Sequence, residues 1–259
     1  MIQFVGHTMA VPGLDNSQVF SLFSRIGLAG IELVAKEKQK FHLDMSDDEL
    51  GEVLELSRQY TLPVITITPY MWFINHPDEV ERTKQLDGLK RAIDIASFLG
   101  ARYVRAYGGS DKFGTDKVHF DNTVVSLRLA GQYAENKGIV IVVENHPGTL
   151  TPSGIKTAEM IEAVGQKNVR ALFDPANALH TTGEDPMITL DSQKSIIAYV
   201  HCKDYYFEKD VRHACVVGEG IVPWTKIMNG LKALNYEGYV SFEYEKMWYP
   251  DDLVNKQLV

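Results

Sequence analysis

A (β/α)8 barrel is the fold class this sequence predicts, and three observations predict it. Short β-branched runs alternate with helical hydrophobic patterns from one end of the chain to the other. The length, 259 residues, is ordinary for a single α/β barrel. In the second half of the chain each apolar run stops at a charged or imidazole side chain: Glu144, Asp174, His201 and Glu243. A parallel barrel gathers such strand ends on one face, where barrels carry their sites. A doubly wound open sheet is the rival with the same alternation.

Taken in order, Ile2–Gly6 is a short apolar strand leading into a turn with His7, Pro12 and Gly13. Ser17 is placed to cap a helix whose periodic residues are Val19, Phe20, Leu22, Phe23 and Ile26. Ala29–Val34 is the second strand. Ser46 or Asp47 opens a helix through Tyr60, and Leu62–Thr68, entered through Pro63, is the third strand. The loop Pro69–Pro77 holds Tyr70, Trp72 and Phe73, more aromatic mass than a solvated connector needs. A long helix from Glu79 to Leu99 stops at Gly100 and hands over to the fourth strand, Ala101–Ala106, with Arg105 near its end.

The fourth helix covers Asn122 to Lys137. Ile139–Glu144 is then an unbroken β-branched strand of the kind buried on both faces, and it leaves the core at Glu144-Asn145-His146. A helix across Ala158–Val164 precedes the sixth strand, Val169–Asp174. A loop with Asn177 and His180, a helix ending near Ile197, and the seventh strand, Ala198–Lys203, follow. Asp204–Val222 reads as irregular and charged. Pro223-Trp224 starts a helix, and Gly238–Glu243 is the eighth strand. The last helix is short or missing in Asp251–Val259. No linker-like tract interrupts residues 1–259, which predicts one domain.

Hydrophobic residues make up 45% of the chain, enough for a sizeable core. The formal net charge of −8 argues against a general affinity for nucleic acid or anionic membrane and for a small-molecule partner. The N-terminus lacks a basic segment followed by an apolar one, and no apolar run reaches the roughly 18 residues a membrane span needs. Cys202 and Cys215 are the sole cysteines. Together these point to a reduced, cytoplasmic protein.

Three carboxylates and one imidazole suit a hard-to-borderline divalent ion, Mn2+ or Mg2+ first, with Co2+ or Zn2+ as alternatives. Taken singly, each of Glu144, Asp174, His201 and Glu243 is equally well explained as a helix cap or ion-pair partner. As a converging set, the carboxylates would repel one another strongly without a cation.

Six stretches carry a family resemblance: Gly30-Ile31-Glu32-Leu33, Val143–His146, Phe173–Asn177, His201–Asp204, Gly218-Glu219-Gly220 with Trp224, and Gly238–Lys246. On them the chain resembles the sugar phosphate isomerase/epimerase group of xylose isomerase-like barrels. That group includes ketose 3-epimerases, hydroxypyruvate isomerases, inosose dehydratases and, more distantly, endonuclease IV. The resemblance implies that Glu144, Asp174, His201 and Glu243 hold one divalent metal. It also implies that Glu144 and Glu243 are catalytic, moving protons on opposite faces of a small sugar, keto-sugar or sugar-derived acid through an enediolate. Barrels of this group often associate, which makes a dimer or tetramer an expectation. A dehydratase of the inosose or 3-dehydroshikimate type would use the same residues, because proton abstraction beside a polarised ketone can be followed by loss of a β-hydroxyl. A barrel that binds a sugar without turnover is the third alternative.

The chain departs from the epimerase pattern at two places. Asn177 stands where ketose epimerases usually place a histidine, so that histidine's substrate contacts do not carry over. Phe207 and Glu208 stand where an arginine is common. Endonuclease IV needs further metal ligands, and Asn177 replaces one of its histidines.

Around the four lie substrate-binding candidates: His146, Lys203, Arg105, Asn177, His7, Trp72 and Lys246. Period-two alternation points Lys203 the same way as His201, toward an oxyanion or a substrate carboxylate, unless it is a surface lysine. Arg105 either meets an anionic group or makes an ordinary salt bridge. Glu32 faces the site or caps a turn. Lys246 reaches over the mouth or points to solvent. Trp72 and Phe73 wall a sugar pocket or form a dimer patch. The glycines of Gly218-Glu219-Gly220 permit a tight turn that brings Glu219 near the site.

Overall fold

The structure, a computed structural model, describes residues 1–252. Eight parallel strands close a barrel. In chain order they are β1 (Gln3–His7), β2 (Gly30–Ala35), β3 (Val64–Pro69), β4 (Tyr103–Tyr107), β5 (Val140–Glu144), β6 (Val169–Phe173) and β7 (Ile197–Cys202). A hairpin of β8 (Asp204–Glu208) and β9 (Val211–Cys215) intervenes before the last barrel strand, β10 (Tyr239–Phe242). β1 pairs with β2 on one side and β10 on the other, so closure removes both free edges. The helices are α1 (Asn16–Arg25), α2 (Asp47–Gln59), α3 (Glu79–Leu99), α4 (Lys117–Glu135), α5 (Gly154–Val164), α6 (Pro175–Thr182), α7 (Pro186–Gln193) and α8 (Trp224–Ala233).

The strands bury both faces. Their outward residues, such as Ile31, Leu33, Ile67, Val104, Ile141 and Val143, join helix residues such as Phe20, Leu50, Leu89, Ile93 and Leu127 in one large apolar cluster. On five strands the inward residues run from apolar to charged or imidazole: Val5 then His7, Tyr103 then Arg105, Val142 then Glu144, Leu172 then Asp174, Tyr199 then His201 and Lys203. Val5, Ile65, Tyr103, Val142, Leu172 and Tyr199 form a separate buried cluster inside the barrel. That plug fills the lower interior, and the polar layer lies above it, toward the C-terminal ends of the strands.

Several boundaries differ from the sequence expectation, each for a capping reason. Asp15, not Ser17, caps α1, through a capping box with Gln18. α4 begins at Lys117, five residues before Asn122, because Asp116 accepts from His119 N. α5 begins at Gly154 rather than Ala158, with Ser153 as cap. The loop expected around Asn177 and His180 is a helix, α6, with Pro175 in its first turn and Asp174 as its cap. His180 therefore lies on a helix rather than a surface loop.

Asp204–Val222 is not irregular throughout. β8 and β9 pair across a two-residue turn whose residues, Lys209 and Asp210, both have positive φ, 47° and 65°. That is the turn handedness a tight hairpin needs, adopted without the Asn-Gly or Asp-Gly signal that announces it. Of the last expected helix, residues 253–259 lie outside the described residues, and 244–252 form turns.

Candidate metal centre and active site

The four residues that end apolar runs meet at the barrel mouth. Glu144 is the last residue of β5, Asp174 follows β6, His201 is the penultimate residue of β7, and Glu243 follows β10. All four are buried, and one nitrogen of His201 with one oxygen from each carboxylate lie within 4.8 Å of one another. That is the span of a coordination shell with bonds of about 2.0–2.3 Å.

Each donor is held by neighbours. Glu144 accepts from Arg105 Nη1 at 3.0 Å on one oxygen, and from Asn177 Nδ2 at 3.2 Å on the other. Asp174 Oδ1 accepts the Asn177 backbone N–H at 2.8 Å. Its Oδ2 is buried with no aligned donor, although Lys203 Nζ stands 3.0 Å away. An unpartnered oxygen on a buried carboxylate beside three other donors fits a cation site. Lys203 Nζ also meets Glu243 Oε2 at 2.6 Å. His201 Nδ1 lies 3.3 Å from Glu144 Oε1 and 3.2 Å from Glu243 Oε2, while its Nε2 lies 3.0 Å from Glu32 Oε1.

Burial raises every one of these carboxyls, and the partners decide the outcome. For Glu144 the His146 and His201 rings and the Arg105 guanidinium outweigh burial and leave it at about 2. For Asp174 burial prevails, Lys203 opposes it, and the Glu243 and Glu144 charges add to it, so the group rises to about 7. Glu243 is held well below its usual range against burial by His201 and Lys203. Burial disfavours the Lys203 ammonium, yet Asp174, Glu243 and Glu245 hold it well above the ordinary lysine value.

Of the substrate-side candidates, His146, Lys203, Arg105, His7 and Trp72 reach this mouth. His146 Nδ1 lies 2.7 Å from the Pro147 carbonyl, an acceptor only, so the ring proton sits on Nδ1 and Nε2 keeps its lone pair. Burial, with Lys203 and Arg105 adding to it, lowers its pKa against Glu144, so the ring is neutral at pH 7. Trp72 stacks on Tyr107 with ring centroids 3.9 Å apart and meets the His146 edge at 5.0 Å. Phe73 turns the other way, onto Phe113. The Arg105 guanidinium lies 3.9 Å over the Tyr107 ring and donates to the Pro69 carbonyl as well as to Glu144. It is a buried structural pair, not a free anion receptor. His7 accepts the Met9 N–H on Nδ1, which puts its ring proton on Nε2, 3.3 Å from Glu32 and 3.7 Å from Glu243.

Two candidates serve other ends. Asn177 is buried, and its amide donates to Glu144 and to the Asn145 carbonyl, so it holds a site carboxylate. Lys246 is not brought to the site: its ammonium donates to the Pro250 and Asp252 carbonyls within the terminal turns. The glycines flanking Glu219 do not deliver that residue either. Gly218 and Gly220 donate their N–H groups to Asp204 Oδ2 at 2.9 and 3.1 Å, and a Cβ at Gly220 would collide with Asp204, while Glu219 is exposed.

Two further residues stand beside the cluster: Asn145, to which the sequence assigned no role, and Glu32, which it left between facing the site and capping a turn. Asn145 exchanges hydrogen bonds with the Asp174 backbone, donating to its carbonyl at 2.6 Å and accepting its N–H at 3.1 Å, and so ties β5 to β6 beside the cluster. Glu32 is wholly buried inside the barrel. A charge within a fully buried strand must be paired, and that rule is the signal that marks it.

Comparison with known proteins agrees with this architecture. The sequence pattern of the family described as xylose isomerase-like TIM barrel matches residues 20–258. A fructoselysine 3-epimerase from Shigella flexneri is 25% identical over 234 residues, covering 87% of this chain and 83% of that protein. An inosose dehydratase from Geobacillus thermodenitrificans is 29% identical over 146 residues, 49% of this chain and 47% of that one. Among solved structures, a probable 3-DHS dehydratase from Bacillus anthracis superposes with a TM-score of 0.78 at 17% identity, covering 94% of this chain and 93% of the other. A 3-keto-D-glucoside 4-epimerase from E. coli gives 0.76 at 18% identity, covering 94% and 92%. No helix among the described residues is long and apolar enough to cross a membrane.

Proposed function

The chain belongs to the xylose isomerase-like TIM-barrel family, and from that premise we propose that it is a divalent-metal-dependent isomerase or epimerase of a small sugar, keto-sugar or sugar-derived acid. The observation that carries this reading is the convergence of Glu144, Asp174, His201 and Glu243 donors within 4.8 Å at the C-terminal end of a plugged barrel. A divalent ion held by these four, Mn2+ or Mg2+ first, would polarise the substrate carbonyl and acidify the adjacent C–H. The similarity to a fructoselysine 3-epimerase across most of both chains supports sugar chemistry of this kind.

The chain's own groups supply the rest. Glu144 and Glu243 are both ionised, and each is fixed by a cation, Arg105 for one and Lys203 for the other. One takes the proton beside the carbonyl and the other returns it, which inverts or relocates a stereocentre through an enediolate. The Lys203 ammonium, buried beside Asp174 and Glu243, is the cation available to stabilise negative charge developing on a substrate oxygen. The Trp72–Tyr107 stack with His146 forms a wall that excludes water and packs against the apolar face of a sugar ring.

One observation favours a second reading, a dehydratase. His146 presents a neutral ring whose free Nε2 is a third acid–base group beside the two glutamates: it would first take up a proton removed beside the carbonyl and then pass that proton to the departing β-hydroxyl, which leaves as water. The two readings separate on incubation of the Mn2+-loaded protein with ketoses, keto-sugar acids and cyclic polyhydroxy ketones in D2O. Deuterium at the carbon beside the carbonyl in recovered ketose, with an epimer or isomer formed, is the expected result. A conjugated enone absorbance without epimer selects the dehydratase. Glu144→Gln is expected to slow either reaction at least about a hundredfold. Retained activity in that variant, or no metal uptake by the wild type, defeats both.

A further inference from the structure

Inside the barrel, below the four converging donors, a fourth carboxylate is held by side chains from three other strands. Glu32 on β2 is wholly buried. Its Oε1 accepts from Thr68 Oγ1 at 2.5 Å, and its Oε2 accepts from Tyr199 OH at 3.0 Å. His201 Nε2 lies 3.0 and 3.3 Å from its two oxygens, and His7 Nε2 lies 3.3 Å from Oε1. A lone buried carboxylate costs several kcal/mol. Here two hydroxyls fix its orientation independently of either imidazole, so the carboxylate is a fixed acceptor to which the His201 ring must conform.

An imidazole has two nitrogens, and the partner of one decides what the other offers. With Glu32 accepting at Nε2, the Nε2 proton is retained and Nδ1 is the nitrogen that faces Glu144 and Glu243. We propose that Glu32 is the positioning residue of the metal centre, fixing the tautomer and rotation of His201 so that Nδ1 is delivered as a ligand. This rests on the metal reading of the site and extends it to a residue that cannot itself reach the cation while it holds Thr68, Tyr199 and His201. His7 packs against the same carboxylate, its Nε2 3.3 Å from Glu32 Oε1 without an aligned hydrogen bond.

The test is Mn2+ binding followed by calorimetry, with 15N-edited NMR of the His201 ring in the Mg2+-loaded protein. Glu32→Gln keeps the side chain's volume and one acceptor oxygen for the hydroxyls, and is expected to fold even where Glu32→Ala does not. The wild type is expected to show a persistent Nε2–H on His201. Glu32→Gln is expected to bind Mn2+ about tenfold more weakly, and Glu32→Ala about 10–100-fold more weakly, with the His201 Nε2 proton lost to fast exchange. A thermal transition kept close to that of the wild type separates this from general damage. Wild-type binding with affinity and ring signal unchanged in Glu32→Gln overturns the role of Glu32 alone. A wild type that takes up no Mn2+ overturns the metal reading and this inference together.

Discussion

Arg105 shows how one side chain can be placed correctly by sequence and still be given two opposite roles. Its position at the end of a strand suggests a receptor for a substrate anion, yet the guanidinium is engaged by Glu144, the Pro69 carbonyl and the faces of Tyr107 and Tyr70. Removing one partner of a buried pair strands the other in low dielectric, at a cost of about 3–5 kcal/mol. Arg105→Met is therefore expected to lower unfolding free energy by about 3 kcal/mol in urea titrations, and Glu144→Gln in the same chain should recover part of that loss. A purely substrate-binding arginine would instead leave stability unchanged and raise KM. Glu144, Asp174, His201 and Glu243 were legible because each interrupts an apolar run at the point where it leaves the core. Glu32 was not, because Leu33 and Val34 continue the run after it and nothing local distinguishes an inward charge from a turn cap.

At the scale of elements, the eight strands were legible from β-branched runs, and the errors fall where a single hydrogen bond, invisible to periodicity, sets a boundary. Asp116 and Ser153 extend helices backwards, and Asp174 turns a supposed loop into α6. Residues 204–222 are the clearest case. Their order comes from Asp204, the buried first residue of β8, whose carboxylate accepts the N–H groups of Tyr205, Gly218, Gly220 and Val222 at 2.9–3.1 Å. The run Gly218-Glu219-Gly220 thus exists to let backbone close on an aspartate directly after Lys203. Asp204→Ala leaves those donors without an acceptor, each worth about 1–3 kcal/mol when buried, and is expected to destabilise the chain by at least about 3 kcal/mol. Asp204→Asn keeps one acceptor oxygen and should lose less. Chemical denaturation of the two variants against wild type measures the difference, and equal stability of all three would mean that the loop is ordered by other contacts.

For the whole molecule, the cluster acts as a fastening as well as a site. Glu144, Asp174, His201, Lys203 and Glu243 come from β5, β6, β7 and β10 or the residues just after them, and Glu32 adds β2, so a ligand gripping the cluster binds a surface that exists in the closed barrel alone. Any ligand with that property stabilises the native state by mass action, about 2.7 kcal/mol at a hundred times its Kd. For a chain of this size each kcal/mol moves Tm by about 2–4 °C. Saturating Mn2+ is therefore expected to raise Tm by about 5–10 °C over protein stripped with a chelator. The formal charge of −8 supplies a competing explanation, since an acidic surface attracts divalent cations without any site. Glu144→Gln separates the two, because it alters the net charge by one unit while removing a central donor. A site-bound ion loses most of its stabilising effect in that variant, whereas loose surface association raises Tm equally in both proteins and is screened by added salt.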